Sequence, residues 1–167
     1  TLVSLREVGS AAQHEGATQV FIYSRDAEFL FANCTAALEK LNLNILGARL
    51  FITHSDYCMD TYTILEEGGW PVGKNPRRRD EIRSLVLDYV SRGMKDVGTV
   101  QLRRSRQEKY FVQNSQVNVS LLNPESSPFS ILEINCPDQP GLLASLGKLF
   151  IDYHISLKDA RITTLGE

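Results

Sequence analysis

The chain has 167 residues, 43% of them hydrophobic and 23% charged, and carries a formal net charge of −2. That balance reads as a soluble globular protein of one or two small domains and excludes a global electrostatic pull toward nucleic acid or an anionic membrane. No apolar run reaches the roughly 18 residues of a membrane span, the start lacks a signal-peptide core, and three scattered cysteines (Cys34, Cys58, Cys136) without a C-x-x-C pair point to reduced thiols in the cytoplasm rather than a disulfide frame or zinc site.

Taken in chain order, residues 1–17 read as a linker from an upstream region. Residues 20–24 are a β-branched and aromatic run that predicts a buried strand. Asp26 follows as a candidate N-cap, and Leu30, Cys34, Ala37, Leu38 and Leu41 recur at helical spacing. Residues 44–53 predict a second strand with Gly47 as a bulge, and residues 57–66 a third strand returning as a hairpin. Trp70 beside Pro71 reads as an apolar anchor. Ile82, Leu85, Val86, Tyr89 and Val90 mark a second amphipathic helix closed by Gly93. Residues 116–122 alternate as a strand, and a turn-rich connector runs over 124–130. The order β-α-β-β-α-β predicts an α+β, ferredoxin-like module over residues 18–123, with an antiparallel sheet and both helices on one face.

The pattern then restarts. Residues 131–136 predict a strand, Asp138 caps a helix carrying Leu142, Leu143, Leu146, Leu149 and Phe150, and residues 155–164 predict another strand. Asp26 and Asp138 are 112 positions apart, as are Leu30 and Leu142, and Arg49 and Arg161. A constant offset through strand, helix and strand marks a duplicated unit. The second copy, residues 131–167, is expected to stop after its second strand, which would leave sheet edges for a second chain to cover.

The stretch Cys136-Pro137-Asp138-Gln139-Pro140-Gly141-Leu142-Leu143 carries the chemistry. Gly141 allows close backbone approach. The following helix start offers free N–H groups and a positive dipole end to an anion. Asp138 can cap that helix or meet an ammonium group. N–H groups beside a carboxylate suit a free amino acid, and a plain capped helix after a tight turn uses the same residues.

D-x-P-G-L-L after a strand, on a duplicated β-α-β-β-α-β unit, resembles the ACT domain family of amino-acid-sensing modules. The resemblance implies an effector held between the turn after the first strand of one copy and the second strand of its neighbour. On that pattern the effector residues are Asp138, Gln139, Pro140, Gly141, Leu142, Leu143, Asn44 and Ser156. The first copy offers a weaker site at Asp26 and Leu30, because Glu28 and Phe29 stand where the motif has Pro and Gly. The runs Leu41-Asn42-Leu43-Asn44-Ile45, Ala48-Arg49, Met59-Asp60-Thr61-Tyr62 and Ala160-Arg161-Ile162-Thr163-Thr164 are similar to the C-terminal tandem ACT region of enzymes that add uridylyl groups to the nitrogen-signalling protein PII and remove them. This resemblance covers about residues 18–167. It implies glutamine as effector, PII as the parent enzyme's partner, and Mg and UTP used by the parent, with no cofactor in this segment. It also implies a segment that is itself non-catalytic. A regulatory ACT segment of another amino-acid-metabolism or stringent-response enzyme remains open, as does a ligand-free module that pairs through its sheets, a homodimer included.

The remaining polar residues carry blander expectations. His14, His54 and His154 lack an adjacent Asp and read as ordinary loop and helix-end histidines. Asp56 and Asp60 read as a solvated turn and a cross-strand partner of Arg49. The basic runs 77–79 and 103–106 read as solvated loops or contacts to other domains, and Phe21, Tyr23 and Phe51 lack an RNA-binding signature.

Overall fold

The computed structural model describes residues 1–9, 16–27, 29–53, 55–93 and 117–164. The expectations for His14, Glu28, His54, the basic run 103–106 and the stretch 94–116 lie outside these residues. The chain divides into two compact units: Thr1–Gln101 with Gly141–Glu167, and Leu102–Pro140.

The first unit is α+β. Its strands are β1 (Leu2–Gly9), β2 (Gly16–Arg25), β3 (Leu43–Phe51), β4 (Tyr57–Glu66) and β7 (Asp159–Thr163). They form one antiparallel sheet in the order β1-β2-β4-β3-β7. Helices α1 (Leu30–Lys40), α2 (Pro76–Arg92) and α3 (Leu142–Asp152) belong to the same unit. The second unit holds the hairpin β5 (Asn118–Leu122) and β6 (Ile131–Asn135).

The sheet buries one face by strand parity. Val20 and Ile22 on β2, Ala48 and Leu50 on β3, and Cys58, Tyr62 and Ile64 on β4 form a core with Cys34, Ala37 and Leu38 of α1 and Ile82 and Val86 of α2. From Leu30 to Leu38 every α1 residue is buried. The helix lies on the sheet and is flanked by its two neighbours, so small residues such as Ala32 and Ala36 face helix rather than water. Gly47 sits at a register shift between β3 and β4, as the sequence predicts. It also makes room for β7, because a Cβ there would lie 2.9 Å from the Ile162 carbonyl oxygen.

Two expectations about strands are corrected. Residues 1–17 are not simply a linker: β1 forms the sheet edge beside β2 and buries Val3 and Leu5. The strand read at residues 116–122 does not complete this sheet. Its described part, β5, pairs with β6 instead. Both results follow from locality, since a hairpin partner a few residues away costs less closure entropy than one across a whole module. The second copy's strand β7 pairs in register with β3 of the first copy, so that part of its edge is covered within one chain.

The helix caps also differ from expectation. Neither Asp26 nor Asp138 caps. The N-caps of α1 and α3 are Phe29 and Gly141, both left-handed and without a side-chain cap. Helix α2 starts conventionally, with the Asn75 side chain accepting from the Arg77 and Arg78 N–H groups and Pro76 in the first turn, and ends at left-handed Gly93. Trp70 is 60% exposed rather than a buried apolar anchor; Val72 is buried there, and its N–H donates to Thr18 Oγ1 at 2.8 Å.

The basic run at 77–79 is structural at two of its three positions. Arg78 donates to both Glu66 oxygens at 2.8 Å, to Glu81 at 2.8 Å and to the Leu41 carbonyl at 2.9 Å, tying α2 to the end of β4 and of α1. Those partners hold its guanidinium well above the usual arginine range. Arg79 bonds Glu7 and the Gly73 and Leu5 carbonyls. Charge-assisted bonds of this kind contribute about 1.5–3 kcal/mol each, so Arg78→Ala is expected to cost about 2–3 kcal/mol in urea unfolding. Arg77→Ala, which leaves this network intact, is expected to cost under about 0.5 kcal/mol.

Candidate functional site

Helices α1 and α3 cross where Ala32 meets Gly147, and β3 pairs with β7. Helix α3 and strand β7 of the second copy therefore pack beside the first copy within the first unit. A cavity of about 290 Å³ opens between the turn before α1 and the segment joining α3 to β7. From the first copy it is lined by Asp26, Ala27, Phe29 and Leu30, and by Cys58 and Asp60 of β4. From the second copy it is lined by Gly147 and Phe150 of α3 and by His154, Ser156 and Lys158.

The polar groups are arranged with opposite charges at the mouth. Asp26 Oδ2 lies 3.6 Å from Lys158 Nζ, and Asp26 Oδ1 accepts from the Cys58 thiol at 3.4 Å. Burial and the neighbouring carboxylates push that thiol up to about 12. The first N–H groups of α1 have no side-chain cap and begin at the cavity wall. Such a site can hold an ammonium at Asp26 and a carboxylate at Lys158 and the helix start.

Deeper in, Asp60 is only 2% exposed, and its Oδ2 has no hydrogen-bond partner among the described residues. Burial raises its carboxyl to about 7; the Phe51 main chain partly opposes this and Asp26 adds to it. The expected cross-strand pairing of Asp60 with Arg49 is thus overturned. Asp60 shares the inward parity of Cys58 and Tyr62, whereas Arg49 is exposed beside Thr61 on the other face.

The structure brings Asp26, Leu30 and Ser156 together at this one cavity. Asn44 lies elsewhere on β3, its amide donating to the Glu66 carbonyl at 3.5 Å. The Gly141 N–H donates to Glu39 Oε2 at 3.0 Å, and Leu143 packs against the core. Asp138, Gln139 and Pro140 close the second unit. Sequence reasoning gave Asp60, Cys58 and His154 no place in a binding site and did not single out Lys158. Strand parity counted from Tyr62 would have placed the first two inward; nothing local marks His154 or Lys158.

The turn before α1 lacks the motif glycine yet keeps its shape. Phe29 has φ 72° and Gly141, its repeat equivalent 112 positions on, φ 79°. A bulky residue in the left-handed region costs on the order of 1–3 kcal/mol. Phe29 packs against the buried Ala32 and Ala36, and the first copy presents its helix start as the second does. Among the described residues no group of three or more His, Cys, Asp or Glu side chains is placed to hold a metal ion, and no helix is long and apolar enough to cross a membrane.

No family model and no solved structure matches the chain. Curated proteins do. It is 42% identical over 166 residues to a bifunctional uridylyltransferase/uridylyl-removing enzyme of Stutzerimonas stutzeri. It is 40% identical over 167 residues to the protein of the same name in Pseudomonas fluorescens, and 41% over 166 residues to that of Azotobacter vinelandii. Each match covers 99% of this chain and 18% of the relative, so the chain spans about a fifth of the length of these enzymes.

Proposed function

The chain is homologous throughout to one segment of the bifunctional uridylyltransferase/uridylyl-removing enzymes, and from that premise we propose that it is an allosteric amino-acid-sensing segment of such an enzyme, with glutamine as effector. The observation that carries the reading is the cavity between the two copies, with Asp26 and Lys158 at its mouth. The effector's ammonium replaces Lys158 at Asp26, its carboxylate takes Lys158 and the α1 N–H groups, and its side chain enters toward Ser156 and Asp60. By repeat equivalence the start of α3, Gly141 to Leu143, is the proposed second site.

An effector that touches both copies stabilises one packing of α1 on α3 over others. That differential affinity is what biases a catalytic region elsewhere in a parent enzyme. The parent's proposed protein substrate is PII, with UTP as donor and Mg as its metal. The described residues offer no grouped carboxylates for that metal, and no step of the transfer is assigned to them.

The test is a thermal-shift titration of the 167-residue chain with a panel of amino acids. At about 100 Kd a single-site ligand contributes about 2.7 kcal/mol, a rise of about 5–10 °C. Glutamine is expected to give such a rise and Asp26→Asn to remove most of it. If Gly141→Val alone abolishes the response, the second turn is the working site. A flat response to every amino acid would favour a ligand-free pairing module and overturn the sensing reading.

A further inference from the structure

The sheet face away from the helices carries two arginines whose arrangement the sensing reading does not use. Arg49 on β3 and Arg161 on β7 are direct register partners in the antiparallel pair. They are also repeat equivalents, 112 positions apart. When two antiparallel strands are related by a two-fold, only the residue on the axis faces its own counterpart. The pseudo-two-fold axis relating the two copies therefore passes between Arg49 and Arg161.

Both side chains are exposed, and neither makes an ion pair or side-chain hydrogen bond with the described residues. The seven ion pairs found there are made by Arg78, Arg79, Arg83, Arg92, Lys148 and Lys158. Asp159, two positions along β7, pairs with neither. Like charges directly opposite on adjacent strands destabilise a sheet, and an open face supplies cheaper residues for the position. Thr61, in register with Arg49, adds a hydroxyl to the same row.

We propose that the Arg49–Arg161 pair is an anion-binding site for a phosphoryl group, on the pseudo-two-fold axis and on the face opposite the helices. Two guanidinium forks present more donors than one carboxylate can accept and twice its charge, whereas a phosphate or diphosphate supplies both the oxygens and the charge. Because one fork belongs to each copy, a bound phosphoryl group ties β3 to β7 and stabilises the pairing on which the cavity depends.

The probe is inorganic pyrophosphate added to the full 167-residue chain, followed by the Nε–Hε signals of the arginines, with sodium chloride at matched ionic strength as control. Saturable shifts of Arg49 and Arg161 with pyrophosphate and not with chloride are expected, together with a rise in melting temperature. Arg49→Gln or Arg161→Gln is expected to weaken the response at least tenfold, and Arg49→Lys to fall between. Orthophosphate acting as well as pyrophosphate would assign a single phosphate to the site; a preference for pyrophosphate would assign a diphosphate group. Equal shifts with chloride, or unchanged affinity in the Gln variants, would overturn the proposal. In phosphate-free buffer both Gln variants are expected to melt at or above the temperature of the unmodified chain. A lower melting temperature there would give the arginines a structural role and overturn the proposal as well.

Discussion

Asp60→Asn is expected to make the chain more stable at pH 8 and to flatten its stability between pH 4 and pH 8. The folded carboxyl titrates near 7 against 3.8 for the unconstrained group. A carboxyl raised on folding costs nothing below its unfolded value, when both states are protonated. The cost grows as pH rises from about 4 and is complete above about 7, where the buried group is ionised. Three units correspond to about 4 kcal/mol, a large fraction of a domain's stability. The groups around Asp60 share its burial rather than relieve it: the Cys34 thiol and Tyr62 hydroxyl are pushed upward by desolvation, Cys58 to about 12, and the charge of Asp26 opposes ionisation further. Urea unfolding at half-unit pH steps checks this. A slope that survives in the Asn variant would assign the dependence to other groups.

Gly147→Leu is expected to separate the second copy from the first. A Cβ at Gly147 would lie 2.7 Å from Ala32 Cα and 2.9 Å from Ala32 Cβ, against the backbone of a helix buried from Leu30 to Leu38. Neither helix can yield locally, so α3 must move. Overpacking of this kind costs about 1–3 kcal/mol or rearranges the contact outright. Even Gly147→Ala, which gains up to about 1 kcal/mol of helix propensity, is expected to be net destabilising. Hydrogen exchange locates the effect: β7 amides are expected to lose protection while β2 and β4 keep theirs. Because Gly147 lines the cavity, the variant is also expected to lose any amino-acid response.

Much of the fold is legible in the sequence because parity and helical spacing encode it. The alternation of β4 and the Leu30, Cys34, Leu38 stripe each name a buried face, and the 112-residue offset names the duplication, though not that β7 covers the edge of β3 within one chain. What escaped has physical causes. β1 shows Val3 and Leu5 alternating, but a template with its fourth strand after the second helix left no place for it. Phe29 holds a left-handed conformation that no phenylalanine announces, so Asp26 took the capping role on paper. Asp60 is polar, and polarity argued for the surface although its neighbours at 58 and 62 fix its parity inward. Trp70 is large enough to suggest burial, yet the chain buries Val72 instead. Of the effector residues, Asp26, Leu30 and Ser156 share the cavity, while Asn44 does not line it. The sequence favoured the glycine-bearing turn, and the cavity lies at the other, where Phe29 reproduces the same backbone.

The most direct test of an effector held between the two copies is a titration of the isotopically labelled 167-residue chain with glutamine, read amide by amide. The expected result is a saturable set of shifts at residues 26–30 together with 154–158, from both sides of the cavity. Shifts confined to one side, or none at saturating glutamine, would contradict it.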